Sequence, residues 1–484
     1  MLFHSISFLF FFAVVIILYF SIPYRFRWIL LLCASYFFYL CFQPGYLLLI
    51  ILFTFINYFL VLQMGREPIQ SKRKKFLLFN LASHLGILFI FKYYNFFNHS
   101  LKAVFEHFNL FYNFPVLPFL LPIGLSFYTF KSLSYAIDVY RGELMPERHL
   151  GRLGIYIAFF PQLLAGPIER AKRLLPQLYE RYDFDYQRVT DGLKLMLWGF
   201  FQKMVIADNL APLVDTIYNH PTQYQGPILV LATLLFTFQI FCDFSGYSDI
   251  AIGSAQVIGF RTMENFNRPY FSKSIQEFWR RWHISLSTWF RDYLYIPMGG
   301  NRVPVPRFYL NLFIVLVICG LWHGANWTFI IWGGIHGFYL VFSAFTRSMR
   351  KRVHQVIGLD RVPKFHHYLK GMVTFLLVCF AWIFFRANHL SDAFYIISHL
   401  FTGWEGFCIE VLAPLGGTLK FKLMTGVVSI GVLLLVHLLK GEDRFSHWLS
   451  GKPILLRWSV YYSMIVAILL FGHFGSKEFI YFQF

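Results

Sequence analysis

Three blocks of this 484-residue chain set ionisable side chains among apolar ones, and each suggests a chemistry. The first is GLWHGANW, Gly320 to Trp327, with His323 between the apolar runs 310–319 and 328–332. A histidine there is either a structural hydrogen bonder or a base, since a neutral imidazole in a low-dielectric site accepts a proton from a hydroxyl. Gly320 and Gly324 leave room for a ligand or for another backbone. On a continuous helix Asn326 and Trp327, three and four residues on, flank the same face as His323. The second block is EFWRRWHISLSTWFRDY, where His283 follows Arg280 and Arg281. It is either a second active-site histidine or a surface residue. The third is FCDFSGYSDIAIG, with Asp243 and Asp249 around Ser245, Gly246 and Ser248. Six residues is about 600° of helix, so the two carboxylates do not share a face. The expectation is a helix cap for one and an ion pair with an arginine of 265–306 for the other, because buried charges are normally paired. No Asp/His cluster has ligand spacing, so no metal is expected.

Other histidines carry less. His336 follows His323 by 13 residues, about 1300° of helix, and points elsewhere unless Gly333 and Gly334 bend the chain. A packing role is expected. His366 and His367 lie in a polar loop.

The elements that must position these residues are written in the composition. Hydrophobic residues make up 57%, aromatics 21% and charged residues only 14%, where a soluble domain carries about a quarter charged. Too few polar side chains remain to coat a soluble surface of this size, so lipid is the solvent. Candidate spans of about 20 apolar residues lie near 5–22, 28–42, 46–64, 76–97, 119–137, 226–242, 308–322, 326–345, 370–386, 423–440 and 456–473. Runs near 153–165, 190–206 and 246–260 are spans, re-entrant segments or buried helices, so roughly ten to thirteen membrane segments are predicted. The whole of 1–484 reads as one membrane domain, with a core carrying the chemical motifs at about 226–345 and C-terminal helices at about 370–484.

The net charge of +19 fits either nucleic-acid binding or cytoplasmic loops. The basic residues fall in short gaps such as Lys72–Lys75 and Arg347–Arg352 and form no long basic face, so nucleic acid is not expected. The six cysteines include no CxxC pair, and neither a metal site nor a disulfide framework is assigned. Met1–Phe20 lacks a basic n-region and a cleavage site, so it reads as a retained first span. Arg25 and Arg27 put its far end in the cytoplasm. Continuing by loop charge places Lys72–Lys75, Arg141–Arg152, Arg347–Arg352 and Lys440–Arg457 inside, and both termini outside.

Asn265 to Pro306 breaks the hydropathy pattern. Phe278, Trp282, Trp289 and Tyr293 fall on one face of a predicted amphipathic helix among arginines. That helix either lies on the membrane surface with a basic polar face or lines a polar cavity within the bundle.

Taken together, DFSGYSDIAIG, ENFNRPY, EFWRRWHISLSTWFRDYLYIPMGGNR and GLWHGANWTFIIWGGIHG resemble the membrane-bound O-acyltransferase (MBOAT) superfamily. FPQLLAGPIER at 159–170 and FIYFQF at 479–484 resemble its bacterial alginate O-acetyltransferase-like branch, and the resemblance covers essentially the whole chain. It implies an all-α polytopic fold, a ring of tilted helices around a central tunnel, and acyl transfer across the bacterial cytoplasmic membrane. It also implies that His323 is catalytic and that His283 is a second site position.

The mechanism so implied uses acetyl-CoA as a cytoplasmic co-substrate, with no bound cofactor. His323 acts as general base on an acceptor hydroxyl. His283 and Asn326 orient the acceptor or stabilise the oxyanion, with Trp327, Ser245 and Asp243 as further substrate contacts. Arg280, Arg291 and Arg302 either attract CoA phosphates or pair with Asp243, Asp249 or Asp292. The acceptor is an exported polysaccharide, finished by a periplasmic acetyltransferase partner. By analogy with a D-alanyl branch, Tyr481 is either a temporary acyl carrier or part of a docked aromatic tail.

Three rivals remain. A polytopic transporter also has intramembrane charges and many spans, but no inverted repeat is visible. A membrane hydrolase lacks its GxSxG or HExxH signature. A D-alanyl transferase of the same fold fits less well with the sequence beyond 345 and with YIPMGGNR.

Overall fold

The computed structural model describes residues 1–42, 44–164, 166–404, 417–474 and 479–480. Among them all regular structure is helical. Eight helices among the described residues are long and apolar enough to cross a membrane: Pro44–Arg66, Gln70–His107, Pro227–Val257, Val305–His323, Trp327–Phe345, Pro363–Arg386, Gly417–Lys440 and Ile454–Phe471. Ile6–Ser21 is equally apolar but shorter. The span expected at 119–137 is a 16-residue helix, Leu125–Tyr140, buried on almost every side. Near 190–206 the chain forms a helix, Tyr186–Phe200, that widens into a π-helical segment, Phe201–Ala207.

The chain divides into two compact units. The first comprises residues 1–193 and 251–263. Its helices α1 (Ile6–Ser21), α2 (Arg27–Leu40), α3 (Leu47–Arg66), α4 (Gln70–Leu88), α5 (Tyr94–His107), α6 (Leu125–Tyr140), α7 (Leu150–Ala158) and α8 (Ala171–Gln177) pack mainly through aromatic rings. Some polar groups inside it pair across helices. Asn80 donates to Asn57 at 3.2 Å between α4 and α3, and Lys131 on α6 donates to Gln162 at 3.2 Å. Gln162 and Glu169 of the 159–170 block therefore serve this unit, Glu169 by accepting from the Met263 N–H at 2.8 Å.

The second unit, residues 194–250 and 264–484, carries all three chemical blocks. After α9 (Tyr186–Phe200) come α10 (Asp208–Asn219), the 31-residue α11 (Pro227–Val257), the short α12 (Ile275–Arg281) and α13 (Ile284–Phe290). Then follow α14 (Val305–His323), α15 (Trp327–Phe345), α16 (Arg347–Val356), α17 (Pro363–Arg386), α18 (Leu390–His399), α19 (Gly417–Lys440), α20 (Phe445–Ser450) and α21 (Ile454–Phe471). α14 and α15 form a tight antiparallel pair because glycines let the backbones meet. A Cβ at Gly320 would strike the Phe329 carbonyl, and one at Gly333 the Leu316 carbonyl. The room left at Gly320 is thus taken by another backbone. An apolar cavity of about 600 Å³ lies among α19, α21 and the π-segment, lined by Trp198, Val205, Val432 and Met464 but by neither His283 nor His323.

Candidate active site

His323 is the last residue of α14, and Gly324 ends the helix in an extended conformation, φ −156°. A Cβ at Gly324 would collide with the Phe329 ring. Asn326 then caps α15, its side chain accepting from the Thr328 N–H at 3.1 Å and donating to the Asn388 carbonyl at 3.1 Å. The helix expected to run through this block is therefore two helices. Asn326 is committed to holding their junction, and Trp327 begins α15 about half exposed, 49%. His323 itself is buried among rings: Trp322 at 5.0 Å, Trp332 at 5.1 Å edge-on and Phe385 at 5.4 Å between centroids.

His283 reaches the same place from a different element. The single amphipathic helix expected across 278–293 is broken after Arg281, and His283 takes a left-handed conformation, φ 43°. Such a φ costs a non-glycine residue about 1–2 kcal/mol. The local hydrogen bonds offset it: the His283 carbonyl accepts the Leu286 and Ser287 N–H groups, both at 3.0 Å, and so starts α13. Phe278, Trp282, Trp289 and Tyr293 are all buried all the same. The apolar face of the stretch packs inside the protein while Arg280 and Arg291 are exposed, so a helix resting its apolar face on lipid does not describe it.

The His283 ring is held by Asn265, whose Oδ1 lies 3.0 Å from Nδ1. That oxygen also accepts from the Ser285 hydroxyl at 2.9 Å and the Ser285 N–H at 3.3 Å. The amide nitrogen of Asn265 donates to Ser248 of α11 at 3.0 Å. With Oδ1 as acceptor, Nδ1 carries the proton and Nε2 is the ring's acceptor nitrogen. Burial pushes the imidazole down to about 3, so it is neutral at ordinary pH. Phe244 packs edge-on at 4.6 Å. The His283 and His323 centroids are 6.4 Å apart.

Around this pair Trp332 stacks on Trp382 at 5.6 Å, and Trp282 lies 5.0 Å from Trp382. The indole N–H groups of Trp282, Trp332 and Trp382 are buried and make no hydrogen bond among the described residues. His336 lies one turn along α15 from Trp332, packed against Trp332 at 5.0 Å and Trp279 at 5.2 Å. That is the packing role expected for it.

The charged residues divide differently from expectation. Asp243 is ion-paired, but to Lys203 of the π-segment at 2.5 Å and not to an arginine of 265–306. Asp249 accepts from Gln202 at 2.8 Å. Ser245 is buried on α11. Arg280 is exposed, and Arg291 pairs with its neighbour Asp292 at 2.8 Å near the surface. Arg281 bridges Glu277 at 3.0 Å and Glu442 at 2.7 Å, and Arg302 is exposed. Among the described residues no cluster of His, Cys, Asp or Glu has the makings of a metal site. Tyr481 lies outside the described residues.

Sequence reading missed Asn265 and Lys203. A signal existed for the second: a lone lysine in the apolar run 195–207 demands a buried partner. None existed for Asn265, which lies 18 residues from His283 and is brought to it by the fold.

The chain resembles known proteins along most of its length. Residues 154–387 match the membrane-bound O-acyltransferase family, a span that holds both histidines. A probable alginate O-acetylase of Azotobacter vinelandii is 43% identical over 404 residues, 83% of this chain and 78% of that protein. The peptidoglycan O-acetyltransferase of Helicobacter pylori is 34% identical over 452 residues, 88% and 78% of the two chains. The teichoic acid D-alanyltransferase of Bacillus subtilis is 30% identical over 281 residues, 55% and 69% of the two chains. By this likeness and its helical, multi-span architecture, the chain is a membrane protein belonging to the membrane-bound O-acyltransferase family.

Proposed function

We propose that this enzyme transfers acetyl groups from cytoplasmic acetyl-CoA toward hydroxyls of an exported polysaccharide, with His323 as general base and His283 orienting the acceptor. The observation that carries this reading is the meeting of the two imidazoles, 6.4 Å apart in one buried aromatic box, from elements 40 residues apart in sequence. The acceptor oxygen attacks the thioester carbonyl while His323 takes its proton. The tetrahedral intermediate then collapses, the C–S bond breaks, and the thiolate leaves with the proton held by His323. The carbonyls of the last turn of α14 favour the positive charge formed on that ring.

His283 is neutral with Nε2 as acceptor, so it suits accepting from a second hydroxyl of the acceptor molecule, beside the one whose proton goes to His323, better than stabilising an oxyanion. Donors for the oxyanion are at hand in the buried indoles of Trp282, Trp332 and Trp382. Asn326, capping α15, supports the site by fixing where His323 stands. Arg280 and Arg291, both exposed, are available to the phosphates of CoA.

The polysaccharide acceptor rests on the likeness to proteins named for alginate and peptidoglycan acetylation. A periplasmic acetyltransferase completes the transfer, with the chain in the bacterial cytoplasmic membrane and both termini outside. Tyr481 acts as an intermediate acyl carrier in that handover. The D-alanyl reading has weaker support, since the matching relative covers 55% of this chain.

The test is donor identity. Inverted membrane vesicles given acetyl-CoA labelled in the acetyl group pass the label to polysaccharide or to Tyr481. Transfer of D-alanine from a carrier protein, with no acetyl label moved, overturns the reading.

A further inference from the structure

A second ionic group sits in the same unit, and the transfer chemistry leaves it unused. Lys203 and Asp208, at either end of the turn that leaves the π-segment, pair at 2.9 Å, and Lys203 also reaches Asp243 at 2.5 Å. All three side chains are at most 5% exposed. α9 and α11 approach closely enough for this because glycines face each other: a Cβ at Gly199 would press on the Gly246 carbonyl, and one at Gly246 on the Gly199 carbonyl.

Two carboxylates share one ammonium, so the group carries one negative charge too many for its burial. The C-terminal segment adds stabilisation to this group. Asp243 spends one carboxylate oxygen on Lys203 and accepts the backbone N–H of Ile480 with the other, at 2.8 Å. Phe479, fully buried, packs on Tyr247 at 4.6 Å and on Phe244 at 5.5 Å, and Phe244 is the ring that backs His283. Further up, the end of α21 is tied to the same elements: Asn209 donates to the Phe471 carbonyl at 2.8 Å, and the His473 N–H donates to the Met204 carbonyl at 3.3 Å.

We infer that Lys203 and Asp243 form a charge latch that fixes the register of the C-terminal segment against the wall behind His283, which makes both of them positioning residues for the transfer. The latch grips a backbone N–H, so it sets where the segment sits without reading its side chains. The residue after Ile480 is Tyr481. This inference deepens the proposed function, and it rests on the carrier role of Tyr481 only for its effect on transfer.

The test reads the gripped amide itself. Hydrogen–deuterium exchange on the full-length protein in detergent, resolved to single amides in the C-terminal peptide, compares the natural protein with Asp243→Asn and Asp208→Asn. Asp243→Asn is expected to speed exchange at Ile480 about tenfold or more, with peptides of α14 and α15 unchanged. Asp208→Asn leaves a one-to-one Lys203–Asp243 pair and is expected to preserve the protection. Unchanged exchange at Ile480 in Asp243→Asn overturns the latch. So does a loss of protection spread across the whole unit, which makes the charges a general structural support. Tyr481→Phe is a separate arm: full transfer by that variant with an intact exchange pattern removes the carrier and leaves the latch standing.

Discussion

His323 and His283 stand 6.4 Å apart, yet they are held by opposite means. His323 is fixed by shape: a helix end forced by Gly324, a capped restart at Asn326, and rings on several sides. His283 is fixed by polarity: a left-handed backbone and one asparagine oxygen that sets its tautomer. The first arrangement holds its ring by packing. The second locks a ring into one hydrogen-bonding role. Under the proposed mechanism that difference fits a base at His323 and an orienter at His283, and it says where each can be disabled from a distance.

The largest effect tests the shape-held residue. His323→Ala is expected to lower transfer by about 10²–10⁴-fold, the range typical of a general base, at unchanged protein level. The next tests the polarity-held one without touching it. Asn265→Leu frees the His283 tautomer, and transfer is expected to fall roughly 10–100-fold, the size seen when histidines at metal sites lose an orienting partner. An Asn265→Leu enzyme as active as the natural one would mean that the tautomer is irrelevant.

A thermal titration reads the His283 ring by pH. The folded His283 stays neutral to about 3, while in the unfolded chain it titrates at its ordinary value. Its contribution to stability is complete above about pH 6.5 and declines as pH falls from there toward 3, by up to about 1.4 kcal/mol per pH unit. Melting in detergent between pH 7 and 4.5 is expected to show a shallower acid loss in His283→Gln than in the natural protein. Equal slopes would put the acid sensitivity elsewhere. The smallest effect lies outside the box. Arg291 is exposed and salt-bridged to its neighbour, so Arg291→Gln is expected to change kcat by less than about twofold. A tenfold rise in KM for acetyl-CoA in that variant would make the arginine part of the donor site.

The two histidines also differ in how visible they were in the sequence. Hydropathy alone outlines the long spans, since lipid demands runs of about 20 apolar residues. His323 stands out because it interrupts such a run beside glycines. The surroundings of His283 were hidden. Phe278, Trp282, Trp289 and Tyr293 satisfy one helical period, and no glycine or proline marks the break at His283. Asn265 and Lys203 act at sequence distances of 18 and 40 residues, through contacts that only the packed chain creates. Local pattern can flag a buried charge, but the choice of Lys203 over an arginine for Asp243 depends on where the backbones of α9 and α11 cross.

The central claim is that both imidazoles act on one acceptor molecule in one step, and a double-mutant cycle tests it most directly. Transfer of labelled acetyl in inverted vesicles is measured for His323→Ala, His283→Gln and the pair together, at matched protein level. Groups acting as a unit are strongly non-additive. The double variant is therefore expected to lose no more activity than His323→Ala alone. Losses that multiply in the double variant would mean that the two histidines serve separate steps, and would contradict this account.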